Sequence, residues 1–172
     1  RFVLAGVRTA IELNDFGKAR ALVAEIDPDE LSRRARGELD VLHARALDAN
    51  GHAAEAITVL SNVVRSGAAT PAAEATLRLV RLQRREGLIT LDQATDRLEQ
   101  LAVSWRGDLT ELEVLRVLGQ YAIEKADYRR AFEYGFTAAE VAEQTANLRS
   151  AIESNAASAA TRHNGNFVTG AL

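Results

Sequence analysis

The chain has no cysteine and no methionine among its 172 residues, and only two prolines, Pro28 and Pro71. Without cysteine there is no disulfide, no thiolate metal ligand and no cysteine nucleophile. With so few prolines, long stretches keep every backbone donor and can stay helical. Aromatic residues make up 5%, with one tryptophan, Trp105. No stretch approaches the roughly 18 uninterrupted apolar residues of a transmembrane helix, so no membrane insertion is expected of this segment. The net charge of −3, from 21 basic and 24 acidic side chains, is too nearly balanced to attract nucleic acid by charge alone.

Lysine is scarce too, found only at Lys18 and Lys125, so nearly all basic charge is arginine. That bias, with abundant alanine, suits a GC-rich bacterial coding sequence, and leaves open whether the compartment is cytoplasmic or periplasmic. The missing methionine and the apolar opening Arg1-Phe2-Val3-Leu4 lead us to expect a segment of a longer protein. What the chain does have is helix-forming composition: alanine supplies about 19% of it, apolar residues 47% and charged residues 26%.

A pattern recurs along the sequence. Leu115 to Ala122 includes the pair Leu118-Gly119, and is followed by Tyr128, Ala131 and Ala138. Earlier, Asp15-Phe16 leads to Ala19, Val23 and Ile26; Gly51-His52 leads to Ala56, Leu60 and Val63; Leu91-Asp92 leads to Ala94, Leu98 and Leu101. The anchor alanines Ala19, Ala56, Ala94 and Ala131 are separated by 37, 38 and 37 positions. Offsets of four and seven keep each set on one helical face. Gly135 stands at the +4 place of the last set.

This pattern resembles the tetratricopeptide repeat. That family carries a Leu-Gly pair in its first helix, an aromatic residue entering the second, then alanine and a small residue seven positions on. Here the period is longer than the family's, its helix-ending proline is missing, and Gly135 replaces an aromatic. The resemblance implies an all-α solenoid of about four helix-turn-helix repeats with a C-terminal capping helix, over residues 1–162, and a flexible tail over 163–172. It also makes Ala19, Ala56, Ala94, Ala131 and Gly119 packing positions, with Gly6 near a further small position. On that register Gly119→Leu should overpack a helix contact. Trp105, after Leu98, Leu101 and Val103, is expected to pack between the third and fourth repeats.

Local signals agree with eight helices, near 2–13, 16–26, 29–49, 53–66, 71–86, 91–105, 110–125 and from 128 onward. Thr70-Pro71 reads as a cap with proline in the first turn. Thr90–Gln93 and Thr110–Glu113 fit capping boxes, and Asp27-Pro28 and Asp127 fit helix starts. Gly51, Gly67, Gly87 and Gly107 suit helix ends in the left-handed conformation. The last helix either runs on through residue 162 or breaks near Glu143–Asn147 to form a ninth, with Phe136, Val141, Leu148 and Ile152 as its apolar stripe.

Catalytic signals are weak. His43, His52 and His163 have no metal-ligand spacing. The carboxylates Glu111/Glu113 and Asp27/Asp29/Glu30 gather at helix starts, where the helix dipole favours them. Neither a phosphate loop after a strand nor a G-x-S-x-G elbow occurs. Arg106-Gly107-Asp108 spells an integrin-type tripeptide, better explained by a helix ending at Gly107. No enzymatic activity, metal or cofactor is therefore expected.

One constellation remains. In solenoids of this family the first helix of each pair lines the concave surface, so the resemblance brings Arg8, Arg45 and Arg81 into a row, with Gln120 and Arg116 in the fourth repeat. Arg78, Arg81 and Arg85 share one helical face. Arginine makes charge-assisted, often bidentate bonds to carboxylates. The row therefore suits an acidic or C-terminal peptide segment, although the family's Lys/Asn carboxylate set is not reproduced. The expected function is protein–protein interaction, as a scaffold or adaptor segment of a larger bacterial protein that binds a partner along its groove. Two other readings stand beside it: an oligomerising component of an envelope or motility assembly, and a peptide-sensing regulatory domain. Homo-oligomerisation is left open, and nucleic acid is not an expected partner.

Overall fold

A computed structural model describes residues 2–27, 31–106 and 108–168. They form eight helices and, among the described residues, no strand: α1 (Phe2–Glu12), α2 (Phe16–Ala24), α3 (Arg33–Ala49), α4 (Ala53–Ser66), α5 (Ala69–Arg85), α6 (Leu91–Ser104), α7 (Leu109–Glu124) and α8 (Tyr128–Val168). The chain divides into two compact units, Arg1–Trp105 and Arg106–Leu172.

Within the first unit, successive helices pack on one another and alternate helices also touch: α1 meets α3, and α3 meets α5. The sequence of α3 explains why it sits at the centre. Leu39, Leu42 and Ala46 turn to one side, where they join Val7, Ala10 and Ile11 of α1 and Ala19 of α2. Val41, Ala44 and Leu47 turn to the other, joining Ala56, Leu60 and Val63 of α4 and Ala75 and Leu82 of α5. Two apolar stripes on one helix require a neighbour on each side. Each fully buried leucine or valine contributes on the order of 1.5–3 kcal/mol, so these two clusters are the main source of cohesion. In the second unit α7 packs along α8, burying Val114, Leu115, Val117, Leu118 and Ala122.

Alternate helices α3 and α5 come close at Gly37, a buried position of α3. A methyl group there would stand 2.8 Å from Cβ and 3.0 Å from Cγ of Pro71 in α5. Glycine is thus the residue that lets the two helices meet. At Gly6 and Gly119 the space is ordinary. A Cβ at Gly6 would lie 3.6 Å from Leu22 Cδ1, and one at Gly119 would lie 3.8 Å from both Ala131 O and Tyr134 Cβ.

Each pair of helices is joined by the same tight hinge. Asn14, Gly51, Gly87 and Ala126 all adopt positive φ, between 57° and 82°. In each case the following residue donates its N–H to a carbonyl five positions back: Asp15 to Ala10 at 2.8 Å, His52 to Leu47 at 2.9 Å, Leu88 to Gln83 at 2.8 Å and Asp127 to Ala122 at 2.8 Å. A left-handed residue followed by this bond satisfies carbonyls that a helix end would otherwise orphan.

The caps account for the helix starts, some displaced from where the sequence suggests. Thr90 and Gln93 form a reciprocal capping box at α6, and Asp127 Oδ1 accepts the Arg130 N–H. At α7 the cap is Asp108 rather than Thr110, because its carboxylate takes both the Thr110 and Glu111 N–H groups, at 2.8 and 3.1 Å. At α5 the left-handed Gly67 ends α4 and Ala68 follows directly, so α5 begins before Thr70 and Pro71 lies buried within its first turn. Ser32 caps α3, accepting the Ala35 N–H at 3.2 Å, so α3 starts later than Asp27-Pro28 suggests. Pro28–Glu30 and Gly107 lie outside the described residues. α8 runs unbroken through Glu143–Asn147 and reaches Val168, within the segment expected as a tail; residues 169–172 lie outside the described residues.

Candidate functional site

On the first unit the charges of Arg8 of α1 and Arg78 of α5 both act on Arg45 of α3. Arg45 is half-buried, and burial is the main cause that holds its guanidinium below the usual arginine value. The charge of Arg78 pushes the same way, as does that of Arg8, while Glu74 and Glu12 oppose them. The surroundings thus disfavour the positive charge of Arg45 yet keep it partly open to solvent. Among the described residues its guanidinium donates no hydrogen bond to a carboxylate.

The neighbouring cations are anchored. Arg78 Nε and Nη2 grip Glu74 Oε1 at 2.9 and 2.8 Å, four residues back on α5. Arg85 reaches across 37 residues of sequence to Asp48 of α3, with Nη2 2.5 Å from Oδ1, and also holds Glu86 Oε1 at 3.0 Å. Its hydrogen bond to Asp48 is the first reason that its pKa is raised. Arg81 is exposed on α5, three residues beyond Arg78, and is engaged in interactions of its own. Arg8 and Arg78 therefore act on Arg45 through their charge, whereas Arg85 is committed to a bridge between helices.

Arg116 and Gln120 belong to α7 in the second unit. Arg116 forks onto Glu113, with Nε to Oε2 at 2.8 Å and Nη2 to Oε1 at 2.7 Å, and these bonds raise its pKa. Gln120 is exposed.

The anchor alanines Ala19, Ala56 and Ala94 are fully enclosed, whereas Ala131 is half-buried. Trp105 is half-exposed at the end of α6, and its indole N–H is enclosed without an acceptor among the described residues. Of the histidines, His43 is half-buried on α3. His52 stands at the start of α4 with Nδ1 3.2 Å from Glu55 Oε1, and the His163 side chain lies outside the described residues. Glu111 is buried, 3.6 Å from Arg106 Nη1, and its partner in the expected carboxylate pair, Glu113, is taken by Arg116. Among the described residues no group of three or more His, Asp or Glu side chains could hold a metal ion, and no helix is long and apolar enough to cross a membrane.

Two features escape sequence reasoning. Asp40, half-buried on α3, has its pKa raised chiefly by burial, against the opposing charges of His43 and Arg36. Glu12 and Glu74 act on Arg45 with the opposite sign to the neighbouring arginines, which a count of basic residues along one helix face does not reveal. No protein-family model and no curated protein matches the chain.

Proposed function

We propose that this chain is a non-enzymatic interaction module built from about four divergent helix-turn-helix repeats of the tetratricopeptide type, and that it binds an acidic protein segment on the face formed by α1, α3 and α5. The recurring hinge at Asn14, Gly51, Gly87 and Ala126 supports the repeat reading, because each stands near the same place between two packed helices. The contacts of α1 with α3 and of α3 with α5 are those expected of stacked first helices.

The observation that carries the binding reading is Arg45. A half-buried guanidinium beside two other arginines is costly to keep charged, and a carboxylate docking there relieves that cost. Arg8 and Arg78 flank it on neighbouring helices, so a partner strand lying across α1, α3 and α5 meets three cations in turn. Glu12 and Glu74 set the spacing, and repel a segment whose carboxylates fall out of step.

The test is a titration of a fluorescently labelled peptide rich in Asp and Glu, followed by anisotropy at two salt concentrations. Saturable binding that weakens as salt rises, and that is lost in Arg45→Glu, supports the proposal. Equal binding by Arg45→Glu and the parent chain removes it.

A further inference from the structure

Asn50 and Gly51 form the hinge between α3 and α4, and the same pair of residues can react with itself. The backbone nitrogen that follows an asparagine can attack the asparagine Cγ, and glycine, with no Cβ beside that nitrogen, hinders the attack least. The N–Cγ bond forms, the Cγ–Nδ2 bond breaks, and ammonia leaves with the proton given up by the glycine N–H. Water then opens the five-membered imide. Cleavage at Cγ gives aspartate, and cleavage at the main-chain carbonyl gives isoaspartate. Asn50 and Gly51 are both exposed, and a Cβ at Gly51 would meet nothing within 4 Å, so water and base reach the pair freely.

In the closed hinge each participant is held away from reaction. Asn50 Nδ2 donates to Ala46 O at 2.7 Å, which folds the side chain back along α3. The Gly51 N–H donates to Asp48 O at 3.0 Å, so the attacking nitrogen keeps its proton. The His52 N–H, bonded to Leu47 O at 2.9 Å, fixes the turn beyond. Ring closure needs Gly51 N to eclipse Asn50 Cβ about the Cα–C bond. At the observed ψ of 7° it nearly eclipses the Asn50 N instead. The other hinges lack the pair: Asn14 precedes Asp15, and Gly87 and Ala126 follow Glu86 and Lys125.

We infer that Asn50 is a deamidation site gated by the α3–α4 hinge, inert while the hinge is closed and converted to aspartate or isoaspartate when it opens locally. The conversion is one-way and weakens the hinge that gates it. It replaces the donor to Ala46 O by a carboxylate facing that carbonyl, and it adds negative charge at the C-terminal end of α3, which the helix dipole opposes. Isoaspartate also routes the backbone through Cβ and so lengthens the turn between the two helices. The site does not depend on the binding reading of the arginine face.

The test is peptide mapping by mass spectrometry of the whole chain aged in mildly alkaline buffer, both folded and in denaturing urea. An Asn164→Gln background removes the chain's other Asn-Gly pair, Asn164-Gly165. Deamidation at position 50 should be roughly 5- to 150-fold slower in the folded chain, from the two hydrogen bonds that hold Asn50 Nδ2 and the Gly51 N–H. Equal rates in the folded and unfolded chain, or no reaction at Asn50 in urea, would overturn the inference. So would protection as large as the global unfolding constant from a urea titration, since reaction would then need complete unfolding rather than an open hinge. Asn50→Asp, which reproduces one product, should keep its helical circular dichroism and melt below the parent. A melting temperature equal to the parent's or higher would contradict the weakening of the hinge.

Discussion

Replacing Gly37 by alanine sets two opposing effects against each other at one methyl group. In a helix interior, alanine is favoured over glycine by about 1 kcal/mol. Against that stands the contact with Pro71, whose Cβ and Cγ would lie 2.8 and 3.0 Å from the new carbon. Both atoms belong to a ring fixed to the α5 backbone, so they cannot swing aside as the end of a leucine could. Relief requires α3 and α5 to move apart, which disturbs the cluster of Val41, Ala44, Leu47, Ala75 and Leu82. Overpacking of this kind costs about 1–3 kcal/mol. Gly6→Ala provides the reference in the same unit, because it brings the same helical gain and its nearest neighbour is 3.6 Å away at the flexible end of Leu22. Urea unfolding followed by circular dichroism should place Gly6→Ala above the parent in midpoint and Gly37→Ala below it. The two should differ by about 1–3 kcal/mol. If Gly37→Ala stabilises the chain as much as Gly6→Ala does, alternate helices do not meet as closely as described and the reasoning fails.

Three more outcomes are expected. Ala126 adopts φ of 57° at the last hinge, where glycine pays no steric cost, so Ala126→Gly should stabilise the unit that contains it by about 1 kcal/mol at most, read as a higher melting temperature; a drop would mean that the hinge is not under strain. Arg45→Met keeps an apolar stem but removes the disfavoured charge, so it should melt above the parent while losing affinity for acidic peptide; lower stability would make Arg45 a structural residue rather than a binding one. Asp40, whose pKa is raised above 3.8 by burial, binds its proton more tightly folded than unfolded, so the stability it contributes is present below that value and is lost as pH rises through the raised one. Asp40→Asn should therefore melt above the parent at neutral pH, with the advantage vanishing as pH falls below 3.8, and a difference independent of pH would refute the assignment.

Sequence reasoning reached features set by local rules. Gly51, Gly67 and Gly87 occupy left-handed helix ends because few other residues do so cheaply, and Thr90 with Gln93 forms a box because both partners lie within one turn. Ala126 escaped because alanine carries no local signal for positive φ; there the hydrogen bonds of Ala126 and Asp127 to Ile123 and Ala122 hold the conformation. The contact of Gly37 with Pro71 was equally hidden, since it depends on the slide of α3 against α5. That same packing brings Arg78, Glu74 and Glu12 into the electrostatic surroundings of Arg45. A composition of −3 net charge carries no trace of such a local centre.

The central claim is that the α1, α3 and α5 face receives an acidic segment at Arg45. Backbone-amide NMR of the whole chain, titrated with an Asp- and Glu-rich peptide, tests it most directly. The account predicts shifts concentrated around Arg8, Arg45 and Arg78, saturating with peptide and abolished by Arg45→Glu. Shifts confined to α7 and α8, or none at peptide concentrations where a charge-swapped control peptide also gives none, would contradict it.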